Sequence, residues 1–235
     1  MTSHSGSFSD IRSALLGRIA DACARAGRDS ASVTLVAVTK TVPAERVRAA
    51  FEAGFRVLGE NRVQEAAAKI EALGGGGIAW HLIGPLQSNK ARRAIELFDV
   101  VETVDSLALA RRLDRLAAEL DRGSLPVLLE VNVDADPAKS GYGPERLEAE
   151  LPDLLALPRL RVEGLMTVGR AVPEAELARP TFRRLRELAE RLRAAHTELG
   201  PTLSMGMTDD FEVAVEEGAT LVRIGRAIFG ERPAP

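Results

Sequence analysis

Apolar residues along this chain change period again and again. From Phe8 to Ala26 they fall at helical spacing, with Ile11, Leu15, Ile19 and Ala22 on one stripe and Gly27 as a stop. Val33 to Lys40 (VTLVAVTK) then holds five β-branched residues in a nearly unbroken apolar run, which predicts a strand buried on both faces. A helix follows from Pro43 to Gly54, with proline where the first turn tolerates it. The same exchange repeats through a strand at Arg56 to Asn61 and an alanine-rich helix ending at Leu73. Gly74 to Gly77 reads as a flexible, exposed linker.

Further strands are predicted at Ala79 to Gly84, Val100 to Val104, Pro126 to Val133, Arg161 to Val168, Leu203 to Met207 and Leu221 to Gly225. The helices between them run from about Gln87 to Leu97, along the stripe Leu107, Ala110, Leu113, Leu116 and Leu120, from Pro144, from Pro180 to Leu199, and from Asp209 to Glu217. Asp105 or Ser106 can cap the second of these, and Pro152 is expected to divide the third.

Eight strand-then-helix units of roughly 30 residues match an α/β fold, a single (β/α)8 TIM barrel with an extra N-terminal helix. The expected division is a disordered tail over 1–7 and one barrel domain over 8–235. Right-handed crossovers bring every strand's carboxyl end to one rim, so Lys40, Asn61, Gly84, Asn132, Met166, Met207 and Gly225 should share a mouth. A doubly wound open sheet is the alternative. It calls for a glycine-rich turn after its first strand, where this chain has Lys40-Thr41-Val42-Pro43.

Composition narrows the function classes. The 235 residues are 46% hydrophobic and 28% charged with net charge −3, which gives no basic surface for nucleic acid or an anionic membrane. One cysteine, Cys23, cannot pair internally. No secretory leader or bilayer-length apolar run is evident, so a cytoplasmic location is expected. Metal-ligand spacing and a Ser/His/Asp or G-x-S-x-G arrangement are both lacking in the sequence.

Candidate chemistry concentrates at the strand ends. Lys40 either snorkels into water or presents a partly desolvated amine, the neutral form of which condenses with carbonyls. The segments LSMGMTDD (203–210) and LVRIGRAIFG (221–230) follow the last two strands, where barrels commonly bind phosphate. Gly206 and Gly225 permit close backbone approach and Ser204 and Thr208 offer hydroxyls, or the same residues are simple turns and caps. Arg223, inside an apolar strand, either pairs with an internal acid or points at a ligand. His81 is read as a hydrogen-bonded core residue or, less simply, as a base.

The stretches LVAVTKTVP (35–43), GENRVQE (59–65), WHLIGPLQSNKAR (80–92), VNVDADPAKSGY (131–142) and EGLMTVG (163–169), with the two C-terminal segments, resemble the YggS/PROSC family of pyridoxal phosphate homeostasis proteins. That family is itself similar to the barrel domain of alanine racemase. The resemblance implies that Lys40 holds pyridoxal 5′-phosphate as an internal aldimine. It also implies that the phosphate lies against Ser204, Gly206, Thr208 and the amides of Gly225 and Arg226, that Asn61 lines the site and that Arg223 faces the pyridine nitrogen. Thr39 and Thr208 stand where the family pattern has serines, and Arg226 where it often has Ser or Thr.

An arginine can only donate, which leaves the pyridine nitrogen unprotonated and the ring a poor electron sink. A two-base racemase also needs a second base, and the only tyrosine, Tyr142, falls in the loop after the fifth strand. The expected function is therefore a non-catalytic carrier and regulator in vitamin B6 homeostasis and amino-acid balance. It is expected to be monomeric and to pass cofactor to pyridoxal phosphate-dependent apo-enzymes, with Lys90 or Lys139 as possible intermediate acceptors. A low-activity racemase using Lys40 and a phosphosugar-type barrel without cofactor are the competing readings.

Overall fold

The computed structural model describes residues 7–74, 76–170 and 172–231. Its strands are β1 (Thr34–Val38), β2 (Val57–Glu60), β3 (Ala79–Leu82), β4 (Val100–Val104), β5 (Leu125–Glu130), β6 (Leu160–Met166), β7 (Thr202–Ser204) and β8 (Leu221–Ile224). All pair in parallel and in chain order, and β8 returns to β1 to close the barrel. The helices are α1 (Phe8–Arg25), α2 (Ala44–Glu52), α3 (Val63–Leu73), α4 (Ala91–Leu97), α5 (Leu107–Glu119), α6 (Pro144–Leu155), α7 (Arg179–Ala195), α8 (Phe211–Glu216) and α9 (Arg226–Phe229). The open-sheet alternative is excluded by this closure.

Local chemistry explains the helix ends. Ser7 and Asp10 form a reciprocal capping box that starts α1, so Ser7 belongs to the folded domain; residues 1–6 of the expected tail lie outside the described residues. The Ser106 hydroxyl accepts from the Leu109 amide at 3.3 Å and starts α5, whose stripe of Leu109, Ala110, Leu113, Leu116 and Ala117 is buried. The expected break at Pro152 does not occur: α6 runs through it to Leu155. Pro152 sits in the last turn on the exposed side, where solvent can satisfy the carbonyl it leaves without a donor. Of the glycine linker, Gly74 is the left-handed cap of α3, and Gly75 lies outside the described residues. The extra helix α1 packs on α8 and α9.

Alternation along the strands sorts side chains into two shells. Val36, Leu128, Met166 and Leu221 form a small apolar cluster separate from the large outer core, as inward-pointing residues of β1, β5, β6 and β8 should. Ala37, Leu129, Leu165 and Val222, each adjacent in its strand to one of these, belong to the outer core against the helices. The same parity decides what reaches the mouth.

Candidate functional site

Val36 is inward, Val38 lines the cavity at the carboxyl rim, and Lys40, two residues on, lines it as well. Strand pairing ends at Val38, shorter than the sequence pattern predicts, so the lysine stands on the turn beyond it. Thr41 next to it has φ of 63°, a left-handed conformation that costs a β-branched residue on the order of 1 kcal/mol or more. Its amide donates to the Glu65 carboxylate at 3.1 Å, which holds the turn.

The outward neighbour Thr39 is fully buried and clamped. Its hydroxyl donates to Glu60 Oε1 at 2.6 Å, and Lys69 Nζ on α3 donates to the Thr39 carbonyl at 2.6 Å and to the same Glu60 oxygen at 2.5 Å. A buried ion pair therefore pins the backbone directly ahead of Lys40.

The mouth is a cavity of about 1390 Å³. Of the residues expected to bind ligand, Lys40, Asn61, Thr208, Arg223, Gly225 and Arg226 line it together. Val38, Ile83, Pro85, Val131 and Phe229 give it apolar walls, and Arg46 and Lys139 add positive charge. Lys139 donates to the Val168 carbonyl at 2.9 Å, whereas Lys90 is not among the lining residues. Arg226 pairs with Asp209 and lies 3.4 Å from Glu231, so its long side chain is directed along the rim.

Ser204 and Gly206 are not lining residues. The Ser204 hydroxyl is fully buried, donating to Glu102 Oε2 at 2.5 Å and accepting from Arg223 Nη1 at 2.5 Å. Gly206 answers a packing demand: at φ of 91°, a Cβ would stand 2.5 Å from the Ala214 Cβ and 3.0 Å from the Phe211 Cα on α8. Gly206→Ala is accordingly expected to lower stability by about 2 kcal/mol or more in urea unfolding. An unchanged midpoint would show that α8 moves freely.

Arg223 reaches the interior acid Glu102 through the Ser204 hydroxyl that lies between them, and it also forms part of the cavity wall. It is 4% exposed and its second bond runs from Nη2 to the Thr167 carbonyl at 2.8 Å. Burial pulls its pKa below the usual guanidinium value against the opposing pull of Glu102, Glu130 and Asp210. An arginine remains charged even so. Burial pushes Glu102 up, but the His81 hydrogen bond and charge, Arg223 and Ser204 outweigh it and hold this carboxyl below the ordinary range. His81 Nδ1 lies 2.6 Å from Glu102 Oε1, which makes it a hydrogen-bonded interior residue.

Glu102, Glu60, Lys69 and Glu130 are residues that the sequence reading passed over. Glu130 closes β5, lines the cavity and is 8% exposed. Its signal was available, since PVLLE ends in a charge as VTLVAVTK does. Tyr142 is fully enclosed against Arg146 and is not a lining residue, so it cannot face a ligand across the mouth.

Among the described residues no group of three or more His, Cys, Asp or Glu could hold a metal ion, and no helix is long and apolar enough to cross a membrane. The family described as the alanine racemase N-terminal domain matches residues 14–233, which sets the class of barrel. Solved alanine racemase from Clostridium difficile shares that fold with a TM-score of 0.71 at 17% identity over 93% of this chain and 56% of the racemase. The pyridoxal phosphate homeostasis protein of Pseudomonas aeruginosa is 47% identical over 92% of this chain and 91% of the relative. That of Aquifex aeolicus is 43% identical over 94% and 96%. PipY of Synechococcus elongatus, solved with pyridoxal phosphate bound, superposes with a TM-score of 0.81 at 43% identity, covering 90% of this chain and all of PipY. The chain belongs to the family of pyridoxal phosphate homeostasis proteins.

Proposed function

We propose that this chain holds pyridoxal 5′-phosphate in the barrel mouth through Lys40 and serves vitamin B6 homeostasis as a carrier and regulator, not as a catalyst. The observation that carries this reading is the placing of Lys40 by strand parity in a cavity with apolar walls and several cationic side chains. Pyridoxal phosphate supplies an aldehyde that a neutral amine captures reversibly.

The residues present fit that group. Lys40 is half-buried at the rim, and Val38, Ile83 and Phe229 offer apolar surface to a ring. Thr208 presents a hydroxyl beside the Gly225 turn that opens α9. A Cβ at Gly225 would sit 3.3 Å from the Val38 Cβ, so glycine keeps the two strand ends close. Arg226 contributes its amide, while its side chain is engaged along the rim. Asn61 offers a polar group from the end of β2.

Arg223 offers the ligand donors only, which opposes protonation of a ring nitrogen and the carbanion chemistry that needs it. Burial of Tyr142 removes the one tyrosine from any role as a base opposite Lys40. Both features support a carrier over a racemase. Recipients are proposed to be pyridoxal phosphate-dependent apo-enzymes, served by a monomer in the cytoplasm.

Absorption spectra of wild type and Lys40→Ala, with and without pyridoxal phosphate, test the reading together with borohydride reduction and peptide mapping. A yellow band confined to wild type and label fixed on Lys40 are expected. Colourless wild type would overturn it in favour of a barrel acting on carbonyl substrates directly. Deuterium entering the α-position of alanine, and lost in Lys40→Ala, would make the chain a racemase.

A further inference from the structure

Glu130 is an ionisable group in the mouth that the binding reading leaves unused. Eight strands in sequence order set β5 across the barrel from β1, so Glu130 faces the cavity from the side opposite Lys40. Its inward direction follows from Leu128, two residues earlier in the inner cluster. Glu130 Oε2 is enclosed and has no hydrogen-bond partner among the described residues. Glu102, by contrast, is satisfied by His81 and Ser204 and sits beside Arg223. An enclosed carboxylate oxygen without a hydrogen-bond partner is costly when the group is ionised, and a neutral carboxyl gains an O–H that can donate.

The charged groups around it come from several elements. Asp105 follows β4, Arg223 is on β8, Lys40 follows β1 and Lys139 lies in the loop before α6. Asp209 and Glu231 also line the cavity, but Arg226 engages both. Tyr142, the titratable residue beyond β5, reaches Glu130 through its backbone amide, which donates to the Glu130 carbonyl at 2.7 Å. Burial, reinforced by Asp105 and opposed by Arg223, pushes the Glu130 carboxyl up to about 7.

We propose that Glu130 is a specificity-determining residue of the mouth: protonated, it accepts a phosphate-bearing anion and donates to it, and ionised, it repels that anion. The inference rests on the mouth being the pyridoxal phosphate site. It makes retention of the ligand sensitive to pH through a group on the far side of the barrel from the lysine. Ionisation of Lys40 and of the phosphate contributes its own pH dependence, which a neutral isostere at position 130 leaves in place. The difference between the two proteins therefore isolates Glu130.

Dissociation constants for pyridoxal phosphate, measured from about pH 5.5 to about pH 8.5 for wild type and Glu130→Gln, test this directly. Across that range wild type is expected to lose about tenfold more affinity than the variant. Infrared spectra of unliganded wild type with isotope-labelled glutamate supply a readout independent of ligand and of the variant's folding. A protonated-carboxyl band that fades through neutrality is expected. Parallel affinity profiles, or a wild type with every carboxyl ionised at the acid end, would overturn the inference while leaving the Lys40 site standing. Failure of wild type to take up pyridoxal phosphate at any pH would overturn both.

Discussion

Lys69→Met is expected to lower stability by about 3–5 kcal/mol, more than substitution of any surface lysine. Lys69 is 7% exposed and Glu60 is fully enclosed, so the substitution strands a carboxylate with the Thr39 hydroxyl as its remaining partner. Glu60 Oε2 already has no hydrogen-bond partner among the described residues, which leaves little to absorb the loss. Removing both charges in Lys69→Met with Glu60→Leu should restore most of the stability, because a well-packed apolar pair avoids the desolvation cost.

The double variant should still bind ligand less well than wild type. Lys69 also holds the Thr39 carbonyl, and Thr39 directly precedes Lys40. Urea unfolding and ligand titration of the three proteins separate the two effects. A single variant within about 1 kcal/mol of wild type would show that the pair is solvated in solution.

The second large effect is expected from Glu102→Ala, again about 3–5 kcal/mol. This carboxylate is fully enclosed, and its loss leaves His81 Nδ1 and the Ser204 hydroxyl without their acceptor and removes one of the countercharges of Arg223. The pH dependence gives it a signature. A carboxyl held below its ordinary pKa stabilises the fold above the unfolded value and loses that contribution as pH falls through the folded one. The stability gap between wild type and Glu102→Ala should therefore be widest near neutrality and narrow on acidification. A gap that stays constant down to about pH 3 would mean that the loss is one of packing alone.

Much of this was legible in the residues. The eight apolar runs fixed the barrel, and the charge ending VTLVAVTK located Lys40, because regular alternation and strand ends are local properties. Strand limits were less legible: the segments after β7 and β8 look apolar enough to extend, yet Met205 and Gly225 lie past the last paired residues.

The interior partners of Ser204 and the packing demand at Gly206 were not legible. Whether a serine hydroxyl meets a ligand or an interior carboxylate depends on Glu102, 102 residues away in the chain, and no local pattern records that pairing. Lys69 lies between. Val63, Ala66 and Lys69 share the buried stripe of α3, so a charge on an apolar face was visible, but its partners Glu60 and Thr39 could be found only in three dimensions.

The alternation of β1 carries one more consequence, for how chains of this kind can change in length. Loss or gain of one residue between Val36 and Lys40 would exchange the two shells. The ammonium would be driven among the helices, and the threonine would occupy the opening. Insertions and deletions should thus be tolerated in the helix-to-strand connections and excluded from this five-residue strand and the two positions after it. The spacing from the barrel floor to the amine is a ruler counted in pairs of residues, and it has no half-unit.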